Sequence, residues 1–486
     1  MVDTQPGVAD EDEERAGSGA GDAGDGPNPP KITARQVALF AVVAVALLMS
    51  TLDMTIVATA LESLQRGLDT SVAWAGWTIT AYSLGMVLML PLSGKLTDRL
   101  GARKVFLVSI IVFTSTSLLC GLATGIHELI VLRFVQALGG AGFTPSATRI
   151  VVAHFGAARD KAVGLFGTLF TSGAMIGPLL GGVIVSGWSW RGVFLVNVPL
   201  GLILVPLCLR FIPADSPGRD APVVRSGLDL PGVGLAAVGL AAAMVAASLL
   251  GESPSEAIAA IAGCAVLAVA GLWGFGRHVR NADDPLIAPR LIAGRGFAAV
   301  NVINVLYAGG AIGLMALVPL YATTRYGIDA FGSGTLLAAE GVAAVTLSTL
   351  GALALRRTGY RLPLYVTAVF VVLGMVALAM PPQGMSAYAW LACGAALVGV
   401  GLGIASPASR NAGLQLLPDQ AAPIAAVRTI GLQLGSIMTV SVATAVIEAA
   451  SNPSIAQAWV FVAFAALTVC IGVPTVRRIP EHRGSW

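Results

Sequence analysis

The chain has 486 residues, of which 56% are hydrophobic and only 11% charged, with a formal net charge of +3. A soluble globular chain carries about 25% charged residues, so this composition excludes an ordinary soluble protein and points to one that crosses a membrane many times. No nucleic-acid partner is expected, and the net charge says little about topology, which depends on where cations lie.

Residues 1–36 are rich in Gly, Ala, Pro and acids, with a cluster from Asp10 to Glu14. Such a segment cannot bury a core and is read as a disordered, solvated cytoplasmic tail. It lacks the basic start and apolar centre of a signal peptide. The first apolar run, Val37 to Leu61, is long enough to span a bilayer and holds Asp53. A carboxylate in hydrocarbon costs about 2.5–3.5 kcal/mol even on the mildest insertion scale, so it is expected to be protonated, paired or facing a wet cavity.

Thirteen more apolar runs follow, centred near Leu84, Phe113, Gly140, Ala174, Ile203, Leu240, Val266, Gly309, Val345, Val372, Gly399, Ile437 and Phe464. None alternates as a membrane strand would, so the fold class is an all-α polytopic membrane protein of fourteen helices. Basic residues cluster in alternate connections. Lys31 and Arg35 precede the first span, and Lys95, Arg99, Arg103 and Lys104 fill the second connection. Arg149, Arg159 and Lys161 fill the fourth; Arg210, Arg219 and Arg225 the sixth; Arg277, Arg280, Arg290 and Arg295 the eighth. Arg356, Arg357 and Arg361 fill the tenth, Arg410 and Arg428 are assigned to the twelfth, and Arg477, Arg478 and Arg483 follow the last span. The other connections hold only Arg66, Arg191 and Arg325. This alternation places both termini in the cytoplasm and demands an even number of spans.

A faint repeat relates the two ends of the chain. Arg99-Leu-Gly101-Ala-Arg103 is echoed by Arg357-Thr-Gly359-Tyr-Arg361, and Thr144-Pro145-Ser146 by Ser406-Pro407-Ala408. Two six-helix halves, 37–212 and 291–480, with a two-helix insertion at 213–290 and a short tail at 481–486, account for it. Such repeats place a site at their interface near the membrane midplane.

Several blocks carry chemistry. In Gly94-Lys-Leu-Thr-Asp98-Arg99-Leu-Gly101-Ala-Arg103-Lys104 the glycines permit a tight turn. Asp98 can pair with a neighbouring Arg or face a helix N-terminus. Gly173, Gly177 and Gly181 recur every fourth residue on one helix face, beside Gly182, and small residues at that spacing let helices approach closely. Pro178 weakens the local backbone ladder. Asp53, Arg133 and Glu340 are the clearest charges far from a predicted membrane edge, and Asp53 lies roughly 10 Å from the outer end of its helix. Water reaching such a site alternately from two sides would load and release a proton, which is what coupling requires. Structural readings stand beside these: Asp53 bonded to a hydroxyl or backbone group, Arg133 satisfying carbonyls near Pro145, and Glu340 at a polar patch near the outer interface.

Trp74 suits an interfacial anchor. Trp77, Tyr82, Gln136 and Tyr307 are candidates for the wall of a substrate cavity, although one helix cannot turn Trp74, Trp77 and Tyr82 inward together. The four histidines fall at span ends or in the tail, and Glu448 near an outer end is read as hydrated. The five cysteines sit apart in apolar runs, read as small buried hydrophobes with no metal spacing. No phosphate-binding loop of the ATPase type is present, so energy is expected from an ion gradient, without a cofactor.

The loop from Gly94 to Lys104 resembles the signature loop of the major facilitator superfamily. Leu132-Arg133-x-x-Gln136-x-x-Gly139-Gly140-Ala141 resembles its fourth-helix motif, and Gly173-x-x-x-Gly177-Pro178-x-x-Gly181-Gly182 its antiporter motif on the fifth helix. Leu52-Asp53-Met-Thr55-Ile56-Val57 and Trp190-Arg191-Gly-Val-Phe194-Leu195-Val-Asn197-Val-Pro199-Leu-Gly201 are similar to signatures of the fourteen-helix drug/proton antiporters. Ala137, Ala58 and Glu62 depart from the usual Gly, Asn and Pro, and Arg356 stands opposite Asp98 in the repeat. The resemblance implies the major facilitator fold and gating roles for the loop and the antiporter motif. It further implies proton-driven export of lipophilic drugs, and two acids with one base in a mostly apolar cavity suggest cationic or zwitterionic ones; a monomer in a bacterial inner membrane is expected. An exporter of one endogenous metabolite and a non-transporting sensor are the alternatives.

Overall fold

The computed structural model describes residues 33–215, 229–249, 254–282, 285, 287–294, 296–417, 421–479 and 481. Nearly all of the expected acidic tail, part of the linker at 216–228 and the last residues lie outside the described residues. The described chain is helical: α1 (Ala34–Gly67), α2 (Val72–Leu100), α3 (Ala102–Leu122), α4 (Ile126–His154), α5 (Arg159–Gly187), α6 (Gly192–Phe211), α7 (Leu230–Leu249) and α8 (Pro254–Asn281). After the short helix Pro289–Ala293 come α9 (Phe297–Tyr326), α10 (Ala330–Thr358), α11 (Arg361–Ala379), α12 (Ala387–Leu416), α13 (Ala421–Ala449) and α14 (Pro453–Val476). Each expected span centre falls inside one of these helices. Among the described residues twelve are long and apolar enough to cross a membrane, while α5 and α7 hold shorter apolar stretches, Ser172–Gly187 and Leu230–Ala246.

Two cations lie elsewhere than the charge count placed them. Arg410 and Arg428 are not in a connection: the first is within α12 and the second within α13. Both helices run well past the roughly 20 residues that a bilayer needs, so a cation near the helix end is not a loop residue. Cys393 and Cys470 are also exposed on the outside of the bundle; only Cys120 and Cys208 are fully buried.

Side-chain caps set the turns at one end of the bundle. Ser71, Asp329, Ser386 and Asn452 accept backbone N–H groups at the starts of α2, α10, α12 and α14. Each satisfies a donor that the helix itself leaves orphaned. At this same end the two halves share one core. Ile56, Leu61 and Leu64 of α1 and Ile79 of α2 cluster with Leu317 and Tyr321 of α9, Leu336 of α10 and Val440 of α13. At the other end, which carries both described chain ends, the cores separate. Leu39, Phe106, Phe143 and Ile212 belong to one, and Val300, Leu364, Ala412 and Ile479 to another. The halves therefore share a core at one end, the joined end, and have separate cores at the other, the parted end. A further cluster of Leu84 and Leu88 of α2, Met244 of α7 and Ile430 and Ile437 of α13 bridges them along one side. Glu448 reinforces the join. Instead of being merely hydrated, its carboxylate accepts the N–H of Val72 across the halves at 3.0 Å.

α5 is packed on both sides. Gly173, Gly177 and Gly181 sit against Thr51, Thr55 and Thr59 of α1, so a four-residue row of glycines receives a four-residue row of threonines. On the opposite face a Cβ at Gly182 would lie 2.9 Å from Phe331 Cα of α10, and one at Gly341 of α10 would lie 3.2 Å from Met175 Cα. α5 is thus the seam between the halves, and glycine is what allows the approach.

Each half also fastens its own end. Gly101 and Gly359 adopt positive φ, +96° and +69°, between the second and third helices of their halves. Asp215, just beyond α6, accepts the N–H groups of Arg103 and Lys104 at 3.1 and 3.2 Å. Glu481, beyond α14, accepts that of Tyr360 at 3.1 Å and pairs with Arg361 at 3.5 Å. A carboxylate at a helix N-terminus is favoured by orphan donors and helix dipole alike.

The seam makes a contrast that can be measured. A Cβ at Gly181 would sit 2.8 Å from the Ile56 carbonyl oxygen, whereas one at Gly94 meets nothing within 4 Å. Gly181→Ala should lower stability by roughly 1–3 kcal/mol through overpacking. Gly94→Ala should raise it by roughly 0.5–1 kcal/mol through helix propensity. Thermal unfolding in detergent should show midpoints moving in opposite directions.

Candidate functional site: a sealed acid–base network

The N-terminal half closes around Asp53, which is 1% exposed, as is Arg133. Arg133 donates from one terminal nitrogen to Asp53 Oδ2 at 2.6 Å and to Gln136 Oε1 at 2.6 Å. Its Nε donates to the Thr78 carbonyl at 3.1 Å. The other carboxylate oxygen accepts from Gln136 Nε2 at 3.0 Å and Asn197 Nδ2 at 2.9 Å. Gln136 also donates to Ser117 Oγ at 2.6 Å. The guanidinium lies over the Tyr82 ring at 4.2 Å and near that of Phe194 at 5.5 Å. Five helices of the half, α1, α2, α3, α4 and α6, each contribute a polar atom to this one cluster.

The local reasons are simple. Arg133 and Gln136 are three apart on α4, so both side chains leave the same face. Both carboxylate oxygens of Asp53 have donors, as a buried charge demands. The network satisfies the pair so fully that neither member is open to solvent in this conformation.

The other expected residues distribute as follows. Glu340 lies midway along α10, half-buried, and among the described residues it has no hydrogen-bond or ion-pair partner. Its backbone packs on Gly399 of α12. Tyr82 and Tyr307, expected at a cavity wall, are instead packed in the interior. Tyr82 covers Arg133, and Tyr307 is enclosed because Gly472 on the π-helical turn Thr468–Gly472 leaves room for its ring. Gln136 belongs to the acid–base network. Trp77 alone of the four keeps part of its surface exposed, stacked on Trp74 at 6.1 Å. Asp98 pairs with Arg149 of α4 at the parted end of the bundle. The helix N-terminus that it was an alternative candidate for, that of α3, is taken by Asp215. Gly94, Arg99, Gly101, Arg103 and Lys104 lie around it at that end, and Gly173, Gly177, Pro178, Gly181 and Gly182 form the α5 seam.

Asn197 was quoted in a motif but given no role by sequence reasoning, and Ser117 was not singled out. The signal for Asn197 was available: it is the one amide between Val193 and Leu207, in a run that is otherwise apolar apart from glycine and proline. The Trp190–Arg191 pair before it secures the joined end, with Arg191 donating to the Ala123 carbonyl at 3.1 Å and its guanidinium 4.3 Å from the Trp190 ring.

A sequence model of the Major Facilitator Superfamily matches residues 43–440. The chain belongs to this superfamily. Three relatives carry names that speak of resistance. Multidrug resistance protein 3 of Bacillus subtilis is 28% identical over 74% of this chain and 69% of its own length. Multidrug resistance protein B homolog of Mycobacterium tuberculosis is 27% identical over 90% and 80%. The methylenomycin A resistance protein of Streptomyces coelicolor is 28% identical over 96% of each. Solved structures of the same fold include a bacterial homolog of the human lysosomal transporter Spinster in an inward-facing, unoccupied conformation. It aligns with a TM-score of 0.63 at 16% identity, over 92% of this chain and 98% of that one. The xylose transporter XylE of E. coli in an inward-open conformation aligns with a TM-score of 0.58 at 13% identity, over 92% and 97%. This major facilitator protein is thus a multi-pass membrane protein of a family of transporters.

In this superfamily member the buried pair should dominate the stability of its half. Asp53→Asn leaves Arg133 without its counter-charge and should cost on the order of 3–5 kcal/mol. Asn197→Ala removes one of two donors to Oδ1 and should cost about 1–3 kcal/mol. The double variant Asp53→Asn/Arg133→Gln should recover part of the first loss. Thermal midpoints of the purified proteins check all three.

Proposed function

We propose that this protein exports lipophilic small molecules, cationic or zwitterionic drugs or antibiotics among them, in exchange for protons across a bacterial cytoplasmic membrane. The observation that carries the reading is the Asp53–Arg133 network: an ion pair held by the side chains of Gln136 and Asn197 and the Thr78 carbonyl at the heart of a membrane bundle. The names of the relatives, which speak of multidrug and methylenomycin A resistance, support the cargo class.

In this reading all fourteen helices cross the bilayer, as two halves, 37–212 and 291–480, with the insertion 213–290 between them. Both termini are cytoplasmic, so the parted end faces the cytoplasm and receives cargo. Separation of the joined end would break the Val72–Glu448 and α5–α10 contacts and admit water to Asp53. A proton taken up there removes one charge of the pair, and Arg133 keeps its bonds to Gln136 and the Thr78 carbonyl. The neutral acid lets that end close again, and cargo entering from the cytoplasm favours re-formation of the pair and release of the proton. The α2–α3 junction from Gly94 to Lys104, helical on both sides of the turn at Gly101 and carrying Asp98, Arg99 and Arg103, stands where the parted ends would meet. The α5 glycines and Pro178 carry the sliding surface. Glu340, half-buried and unpartnered, offers the cleft a negative charge for a cationic cargo or a second proton, and Trp77 offers an aromatic face. Tyr82, Gln136 and Tyr307 act from behind the wall.

In everted membrane vesicles Asp53→Asn should abolish efflux driven by a proton gradient while the protein still reaches the membrane; full activity would refute the assignment. Glu340→Gln should cut transport of a monovalent cationic dye about tenfold, the scale of one charge-assisted contact. It should spare neutral lipophilic compounds, and an unchanged cation profile would count against the role given to Glu340.

A further inference from the structure

The C-terminal half contains a cation whose environment is the reverse of that around Arg133. Arg428 lies in the second turn of α13, between α12 and α9. Its sole hydrogen bond among the described residues is a 3.2 Å contact from a terminal nitrogen to Ser406 Oγ on α12. Its Nε is buried with no partner, and no carboxylate among the described residues forms an ion pair with it. Arg410, one turn beyond Ser406 on α12, is a second cation on the same face of that helix and is exposed to solvent. Asn304 of α9, next to Gly431 one turn further along α13, also has a buried oxygen without a partner.

Arg428 is half-buried, but its Nε is sealed from solvent without a partner, and an anion would complete that donor. The planar fork of Arg suits an oxyanion with two oxygens, and a neutral hydroxyl does not replace one. Hydrophobic packing gives no account of the arrangement, because two like charges on adjacent helices gain nothing from each other. The position is informative as well. α12 touches Glu340 at Gly399 and Arg428 at Ser406. Seven residues of helix separate those contacts, on the order of 10 Å. α12 therefore meets the backbone of Glu340 at one level and the Arg428 guanidinium at another, with the base nearer the parted end.

We propose that Arg428, supported by Ser406 and Arg410, forms an oxyanion site, and that cargo is held there by a carboxylate or similar group which it carries. Together with Glu340 this selects zwitterionic amphiphiles, oriented with the anionic group toward the parted end. The inference rests on the exporter reading of the cleft and narrows its cargo class.

The test uses full-length protein in nanodiscs of neutral phosphatidylcholine and three radiolabelled probes. These are 11-aminoundecanoic acid, its methyl ester, which is only a cation, and its N-acetyl form, which is only an anion. Wild-type protein should bind the free acid about tenfold more tightly than the ester, the scale of one charge-assisted hydrogen bond. Arg428→Gln should reduce that ratio to near one, and Arg428→Lys should keep part of it. Glu340→Gln should leave the acid-to-ester ratio in place and erase the preference for the free amine over the N-acetyl form. Size-exclusion profiles and thermal midpoints verify folding, and the Lys variant preserves the test should the Gln variant misfold. An unchanged acid-to-ester ratio in both Arg428 variants would overturn the oxyanion site. Nanodiscs containing anionic phosphatidylglycerol separate the sources. Loss of the wild-type ratio only there would mean that a lipid phosphate fills the site, overturning its assignment to cargo. Saturable ester binding with no preference for the acid overturns this site alone. No saturable binding of any probe would sink the exporter reading with it.

Discussion

A carboxylate and a guanidinium buried together among apolar helices constrain everything around them. Water is not present to solvate either charge, so the protein must supply every partner that water would have supplied. Asp53 and Arg133 obtain theirs from Gln136, Asn197 and the Thr78 carbonyl, Ser117 in turn accepts from Gln136, and those groups come from different helices. Five helices must therefore meet at one level and in one register. A half built this way tolerates little internal sliding, because moving any one helix would strip a bond from a group that has no substitute. The boundary between the halves is packed differently, through apolar side chains and glycine backbone, with Glu448 bonded to the N–H of Val72 at the joined end.

That boundary is where the composition of α5 matters. The row of glycines facing the threonines of α1 fixes α5 in its own half, and the opposite face meets α10 through backbone-to-backbone contact at Gly182 and Gly341. Surfaces made of backbone and small side chains have few interlocking knobs. They can pack closely in one state and separate without pulling large side chains through one another.

Much of this was legible in the chain. Long apolar runs dictate membrane helices, and a lone Asp or Arg at depth in such a run has few innocuous explanations, so Asp53 and Arg133 were visible as a pair of oddities. Their direct bond was not, because it depends on the approach of α1 and α4, eighty residues apart. Asn197 went without a role for the same reason: a single amide in an apolar helix reveals an unmet need but not its partner. Tyr307 was misplaced because its enclosure depends on Gly472, on another helix. Arg410 and Arg428 were given to a loop because charge counting treats cations as markers of the membrane edge. Helices that overrun the bilayer defeat that rule. The division into two halves could be glimpsed in the repeated Gly101 and Gly359, but not the carboxylates that answer them, since Asp215 and Glu481 share no local motif.

Those two carboxylates have a mechanical consequence. By gripping the head of a helix near the middle of its own half, each ties the exit of the half back to its interior. Tension arriving along the polypeptide from the α7–α8 hairpin would be borne by Asp215 before it reached α6. Strain entering along the backbone is thereby kept from the acid–base cluster, although α7 itself packs on α2 and α13 through Ala236 and Met244.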